Sequence, residues 1–504
     1  MKLQIGIVIA ALTFGLTPSL VLADNTGIDT SFGPDSGHYR YDREPYSQTV
    51  TDAAIDSQGR ILLAFYITDD SGAEFVYWPA VIRLMPDGSP DLSFGFLSIW
   101  MESSQEMTPE CTLTIAVDSS DRPILGWTYE FTQGAFTNRD GWIRRLTSSG
   151  ATDIGKVWAF DLGVISGASD DRLDQMTDIM VISGDRVVAV GQGQYNGADW
   201  DYIIGVYKPN AQGGLVLDDS FSSDGRASVG FDLSGSSYFD SANAVTVDST
   251  GNIVLVGTSH SSSGSLVSAC RISSTDGSLD TDFSVDGRAT FAYEPTTEPS
   301  QASRGVDVAA LSSGFVIGAK LTPNSSDWKI GALKVGSDGD IDISFGDGLL
   351  GAMGWLYLDP TYPGQPWTDA STALSGVAID NDRIVYSASI GDPLDSNQGG
   401  GILLVTDLSG NADTVFSGGG YDFYSFEPDG EQMSTVFSSV LIPGAGVTID
   451  TVGKVVLVGS MRGVTSGGSR SDTDILATQV YTRGLIFSDG FETGGLTAWD
   501  SVGP

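Results

Sequence analysis

The chain runs to 504 residues and carries 64 acidic against 25 basic side chains, a formal net charge of -39. A surface this acidic repels phosphate backbones and anionic headgroups, which argues against nucleic-acid binding and electrostatic membrane docking. Two histidines, His38 and His260, and two cysteines, Cys111 and Cys270, supply neither a histidine-rich metal centre nor a disulfide framework.

At the N-terminus Lys2 precedes an uncharged apolar run from Ile5 to Val21, and Val21-Leu22-Ala23 stands ahead of Asp24. This pattern predicts a signal peptide over 1–23 and an exported mature chain, with no later segment of transmembrane length. Next comes Asp29-Thr30-Ser31-Phe32-Gly33, then a predicted strand at His38 to Asp42.

From there short Val/Ile/Ala/Leu runs recur in a fixed order, too short for helices. A strand-turn-strand pair is predicted at Ala53 to Tyr66, Leu113 to Tyr129, Ile179 to Gly191, Ala242 to Gly257, Val306 to Ala319, Val377 to Ser389 and Val447 to Gly459. A third strand follows each pair. Most of the first six then reach a knot like Asp91-Leu92-Ser93-Phe94-Gly95, with equivalent aromatics at Phe221, Phe283, Phe345 and Phe416, while Asp153-Ile154-Gly155 lacks its phenylalanine. One interval separates Phe32 from Phe94, Phe221 from Phe283, and Phe283 from Phe345. Turns such as Asp56-Ser57-Gln58-Gly59 place Asp against nearby backbone donors and Gly at positive φ, a structural role.

The seventh copy has no knot after Arg483, whereas the N-terminal knot and strand have no preceding pair. The two ends are complementary. The expected fold is therefore an all-β, seven-bladed β-propeller over 24–484 with four-stranded blades, closed by the N-terminal strand pairing with Ile475 to Tyr481.

Leu279-Asp280-Thr281-Asp282-Phe283-Ser284-Val285-Asp286-Gly287, Ile341-Asp342-Ile343-Ser344-Phe345-Gly346 and the run Ala244 to Gly257 resemble the delta-60 repeat of bacterial exported proteins. That resemblance implies propeller-like repeats and offers no catalytic residues. The tail over 485–504, with Ser488-Asp489-Gly490-Phe491-Glu492, resembles a short DGFE-type tail of exported gamma-proteobacterial proteins. Together these imply a secreted, periplasmic or surface-associated protein of a Gram-negative bacterium.

Function is expected on the face that gathers the variable loops, including Thr68 to Tyr77, Phe131 to Asp140, Leu358 to Leu374 and Arg462 to Asp474. There Trp100, Tyr195, Tyr238, Phe239, Tyr362 and Trp367 stand near acids such as Glu102, Asp199, Asp240 and Asp369, and Trp100, Tyr195, Tyr238, Tyr362, Trp367 and Asp369 are the candidate ligand-binding residues. Rings beside carboxylates suit a glycan or an extracellular protein partner. The expected function is a monomeric, non-catalytic binding or adhesion scaffold; the alternatives are a polysaccharide-active enzyme working through a carboxylate pair and a structural envelope protein. No cofactor is expected. Calcium is the one ion the acids Asp170-Asp171, Asp218-Asp219 and Asp472 with Asp474 could hold, without EF-hand spacing.

Overall fold

The computed structural model describes residues 28–481 except 70–75, 103–112, 134–135, 154–156, 159–172, 197–198, 234–237, 294–301, 323–327, 347–352, 360–370, 392–398, 417–419, 425–433, 444–453, 466–467 and a few single positions. The expected signal segment, Cys111 and the C-terminal tail lie outside them. The described residues are all-β, with no helix among them, and so none long and apolar enough to cross a membrane.

Consecutive strands pair antiparallel into four-stranded units. The first is Ser47–Ile55, Ile61–Asp69, Val76–Leu84 and Ile99–Met101. The second is Thr114–Val117, Pro123–Gln133, Phe136–Arg145 and Val157–Trp158. In the third, Asp174–Ile182, Arg186–Asn196 and Asp199–Pro209 are followed by Arg226–Val229. The fourth is Tyr238–Val247, Ile253–Ser261, Gly264–Ile272 and Arg288–Phe291; the fifth is Ala302–Leu311, Gly314–Thr322, Lys329–Val335 and Trp355–Leu358. The sixth is Ser371–Asp380, Arg383–Gly391, Gly399–Asp407 and Tyr421–Tyr424. Short parallel pairings, Asp199↔Tyr238, Trp200↔Phe239 and Ser265↔Ala302, join the third to fifth units into one 13-stranded sheet.

The seventh unit draws on both ends of the described chain. Ser434–Pro443, Lys454–Thr465 and Gly468–Tyr481 are completed by His38–Tyr41, which pairs antiparallel in the register His38↔Thr478 to Tyr41↔Ile475. Thr478 Oγ1 donates to the Gly37 carbonyl at 2.7 Å, and Arg40 Nε donates to Asp474 at 2.9 Å. An edge strand that would otherwise expose unpaired backbone is thereby covered.

The second strands, such as Ile253–Ser261 with Ile253, Val254, Leu255 and Val256 all buried, read as continuous apolar runs because both faces are packed. Each hydrophobic cluster is shared by two consecutive units. One joins Ile61, Leu63 and Phe65 of the first unit to Val456, Val458 and Ile475 of the seventh, as others join fourth to fifth or fifth to sixth. Hydrogen bonds repeat the same logic: Val50 N–H donates to Ser460 Oγ at 2.8 Å across the seventh–first junction, as Met176 N–H donates to Thr128 Oγ1 at 2.9 Å across the second–third.

The first strands of six units slip register beside a bulge, between Val50 and Asp52, Met176 and Asp178, Ala242 and Ala244, Gly305 and Asp307, and Leu374 and Gly376, and again in the seventh between Val436 and Val440. The extra residue turns its side chain toward the next unit. Thr51 Oγ1 donates to Leu113 O at 2.5 Å and Thr177 Oγ1 to Ala242 O at 2.7 Å. The residue that follows accepts in return: Asp52 from Ile115 N–H at 2.7 Å, Asp178 from Val245 N–H at 2.9 Å, and Asp307 from Val377 N–H at 2.7 Å.

The knots form a second series of staples. Asp91 Oδ1 accepts from the Ser93 backbone, Phe94 is buried, and Gly95 N–H donates to Ser149 O of the following unit at 2.8 Å. Arg83 packs 4.5 Å from the Phe94 ring centre and donates to both Asp91 and Ser148 O. Phe283 repeats this with Arg271, Asp280 and Ser337 O. Where the phenylalanine is missing, Arg145 still pairs with Asp153 at 2.7 Å. Glycine is required in the turn that receives the knot: Gly150 has φ +80°, and a Cβ there would stand 2.6 Å from Gly95 N.

Two expectations change. Phe131 to Asp140 and Arg462 to Asp474 were expected as loops, but ladder pairing continues through most of both segments, for example Thr132↔Thr137 and Met461↔Asp474. The backbone pairing extends both strands of each pair beyond the expected loop boundaries.

Replacing Asp307 by Ala leaves two buried N–H groups, those of Val308 and Val377, without their acceptor. A loss of about 1–3 kcal/mol in urea unfolding at pH 5 is expected; an unchanged midpoint would show that the carboxyl holds nothing. Deleting residues 28–42 strips the seventh unit's edge and should lower the melting temperature much further than any single staple variant.

Candidate functional site

The first strands converge on a cavity of about 330 Å³, lined by Thr51, Asp52, Thr114, Thr177, Asp178, Asn243, Asp307 and Ser375 among others, from six different units. Equivalent positions in successive units read Asp52, Thr114, Asp178, Ala244, Asp307 and Gly376. Carboxylates thus alternate with uncharged residues. Burial pushes Asp52 and Asp307 up to about 6, against the opposing pull of the backbone donors they accept from. Asp178 is raised further by burial and by the charges of Asp52 and Asp307. Geometry agrees: Thr114 Oγ1 stands 2.8 Å from Asp52 Oδ2 and 3.2 Å from Asp178 Oδ1. One hydroxyl thus donates to Asp52 at the shorter distance and faces Asp178 at the longer, which brings the two carboxyls to one side chain.

Contiguous with this channel through Thr177 and Asn243 lies a larger cavity of about 480 Å³, bounded by Gln175, Gln192, Phe239, Ser241, Thr258, His260 and Arg304. Its walls include two registered pairs, Gln175 opposite Gln192 and Ser241 opposite Thr258, and Arg304 of the next unit, whose register partner Lys320 lies behind the lining. Gln192 Nε2 donates to Gln175 Oε1 at 2.8 Å, and Asn243 Nδ2 donates to Gly305 O at 2.6 Å, fixing the floor. Phe239 packs on Trp200 at 5.8 Å and on His260 at 5.2 Å between ring centres. Burial, then Arg304, pulls the His260 pKa down, so the imidazole is neutral at pH 7. Arg304 is exposed and lies 5.0 Å over the Trp328 ring.

No protein-family model matches the chain, and no curated protein matches it. It is similar to solved structures at low identity. These include a protein of unknown function from Dyadobacter fermentans (11% identical, TM-score 0.43, 74% of this chain and 98% of that one). Phage phi92 endosialidase is 8% identical (TM-score 0.39, 90% and 70%), and the β-propeller domain of the Trilobed protease from Pyrococcus furiosus 6% (TM-score 0.36, 85% and 94%). No activity or ligand carries over from likenesses this distant.

Of the ligand-binding residues expected from sequence, Trp100 is the one whose side chain is described. Trp100 belongs to the strand Ile99–Met101 and is buried at 8% exposure among Leu62, Val81 and Trp127, so it is core rather than a ligand platform. Neighbouring Glu102 is buried and paired with Arg144 at 3.0 Å. Tyr195 and Tyr238 lie in the strands Arg186–Asn196 and Tyr238–Val247, their side chains outside the described set, and Tyr362, Trp367 and Asp369 lie outside the described residues. Of the rings named on the loop face, Phe239 reaches the cavity.

Of the acids expected for calcium, Asp170, Asp171 and the Asp472 side chain lie outside the described residues, while Asp218, Asp219 and Asp474 are engaged in ion pairs. Asp218 pairs with Arg186 at 2.8 Å and Lys208 at 3.1 Å, and Asp474 with Arg40. Hydrogen bonds from Ser220 and Lys208 hold Asp218 down at about 2 despite partial burial. Among the described residues no acid, histidine and cysteine group is arranged to hold a metal. Near Gly230, Asp201 and Asp232 approach each other, and burial, then Asp199, Asp232 and Asp240, push Asp201 up to about 7.

The pH dependence follows by sign. Asp52, Asp178 and Asp307 hold protons that the unfolded chain releases above about pH 4, so stability falls as pH rises through about 6. Asp218 and Asp91, held down, lose their contribution as pH falls below about 4. Melting temperature should therefore peak near pH 4–5 and decline toward pH 8, with the Asp52 and Asp307 ionisations each costing on the order of 2–3 kcal/mol at neutral pH. A melting temperature that climbs steadily from pH 5 to pH 8 would contradict this.

Proposed function

We propose that the chain is an exported seven-bladed β-propeller of delta-60-type repeats, closed by a blade built from both ends, which acts as a binding or adhesion scaffold. Three features support the ring: the His38–Tyr41 strand on the last unit, the apolar cluster shared by the seventh and first units, and the Val50 to Ser460 hydrogen bond. On this reading the smaller cavity is the axial channel and the larger one its mouth.

The observation that carries the binding reading is the make-up of that mouth. Amides, hydroxyls, one imidazole and one guanidinium line it beside the half-buried Phe239 ring, and its size falls in the small-molecule range. Amides and hydroxyls bond the hydroxyls of a sugar while an aromatic face covers its C–H surface. A saccharide unit is the ligand class that fits.

The Asp201 and Asp232 pair favours a second reading, a polysaccharide-active enzyme, because a carboxyl raised to about 7 can act as a general acid. Product release from a polysaccharide panel, abolished in a folded Asp201→Asn variant, would establish it.

The mature chain should bind oligosaccharides saturably on a glycan array, and Phe239→Ala should weaken binding about tenfold or more while leaving the melting temperature within a few degrees. Absence of binding across the array would remove the saccharide reading.

A further inference from the structure

The position two residues before each described bulge is Thr49, Gln175, Ser241, Arg304 and Ala373, and the residues opposite on the second strands are Tyr66, Gln192, Thr258, Lys320 and Ser389. Of these five units the fifth alone places charges here, and it places two of the same sign face to face. Like charges directly opposite weaken a ladder. The arrangement is the more notable in a chain with 64 acids available to neutralise 25 bases.

Other described arginines show what this protein ordinarily does with a cation: Arg83 lies on Asp91, Arg122 on Asp118, and Arg271 on Asp280. Among the described residues no carboxylate pairs with Arg304 or Lys320. Burial and the neighbouring Arg304 both push the Lys320 pKa down, as expected of a cation lacking a counter-ion. Trp328 supports the guanidinium through the ring face, which leaves its N–H edges for a planar acceptor.

Resting on the binding reading above, we propose that the mouth cavity recognises an anionic saccharide, a sugar unit bearing a carboxylate, with Arg304 donating to the carboxylate and Lys320 reinforcing the positive potential behind it. The rest of the lining fits the same ligand, since Gln192, Thr258 and Asn243 offer groups for ring hydroxyls and Phe239 offers a ring face. A monoanion suits the site better than a phosphate ester, whose second charge would meet the field of a chain at -39.

Calorimetry with the mature protein would use the methyl glycosides of galacturonic, glucuronic and mannuronic acid, each alongside its methyl ester, which keeps the sugar and removes the single charge. At least one acid form should bind, and its ester should bind about tenfold or more weakly, since a charge-assisted bidentate contact is lost. Arg304→Gln, at an exposed position, should reproduce the effect of esterification, and Lys320→Met should lower affinity several-fold, both with unchanged circular dichroism. Equal binding of acid and ester would overturn the carboxylate assignment while leaving saccharide binding intact. Acid binding that survives Arg304→Gln would overturn the location. Silence across acids and esters, against binding of neutral glycans on the array, would overturn the anionic class alone; silence in both would overturn the binding reading with it. Inorganic phosphate competing as well as the best uronate would reduce the site to a general anion site and overturn the saccharide assignment.

Discussion

The structure depends on a carboxyl placed one residue after a β-bulge. At Asp52, Asp178 and Asp307 the bulge turns the side chain out of its own ladder and into the backbone of the next unit, where Ile115, Val245 and Val377 present an N–H. An unpaired N–H at a buried strand edge is expensive, and so is a buried charge. The pairing answers the first problem. Protonation below about pH 6 answers the second, since a neutral carboxyl still accepts from the backbone. Alternation with Thr114, Ala244 and Gly376 keeps successive carboxyls from meeting side by side.

Two series of staples fix how described units sit on their neighbours. Near the channel the bulge residues reach forward, and the knots bury a phenylalanine while the adjacent glycine or serine donates to the following turn. A unit held at two points cannot rotate about either, so equivalent residues of successive units recur at equivalent places. The mouth cavity is a product of that constraint: Gln175, Ser241 and Arg304 meet because three consecutive units present one position to one space, with Gln192 and Thr258 opposite the first two.

Much of this scaffold was legible in the sequence. Repeated apolar runs gave the strand pairs, the spacing of Phe32, Phe94, Phe221, Phe283 and Phe345 gave the units, and the orphan knot at Asp29 gave the strand that completes the seventh. The site was less legible. Attention to aromatics in loops led to Trp100, which packs inward because its strand turns that face to the core, whereas the cavity is built on strand ends by polar residues that look unremarkable singly. The signal was positional. Aligning the copies on their bulges would have set Arg304 beside Thr49, Gln175, Ser241 and Ala373, and exposed the one charged member.

The channel and its mouth are also electrically linked. Ionised carboxylates at Asp52, Asp178 and Asp307 would set negative charge behind any anion held at Arg304. Below about pH 6, where burial keeps Asp52 and Asp307 protonated, the same groups leave the cations of the mouth as the nearest formal charges along that path. The protonation that lets the staples sit inside the fold therefore preserves positive potential at the mouth of an otherwise acidic protein. As pH rises through about 6, the two effects weaken together: the junctions lose stability because their acceptors become buried charges, and the mouth loses anion affinity because those charges lie behind it.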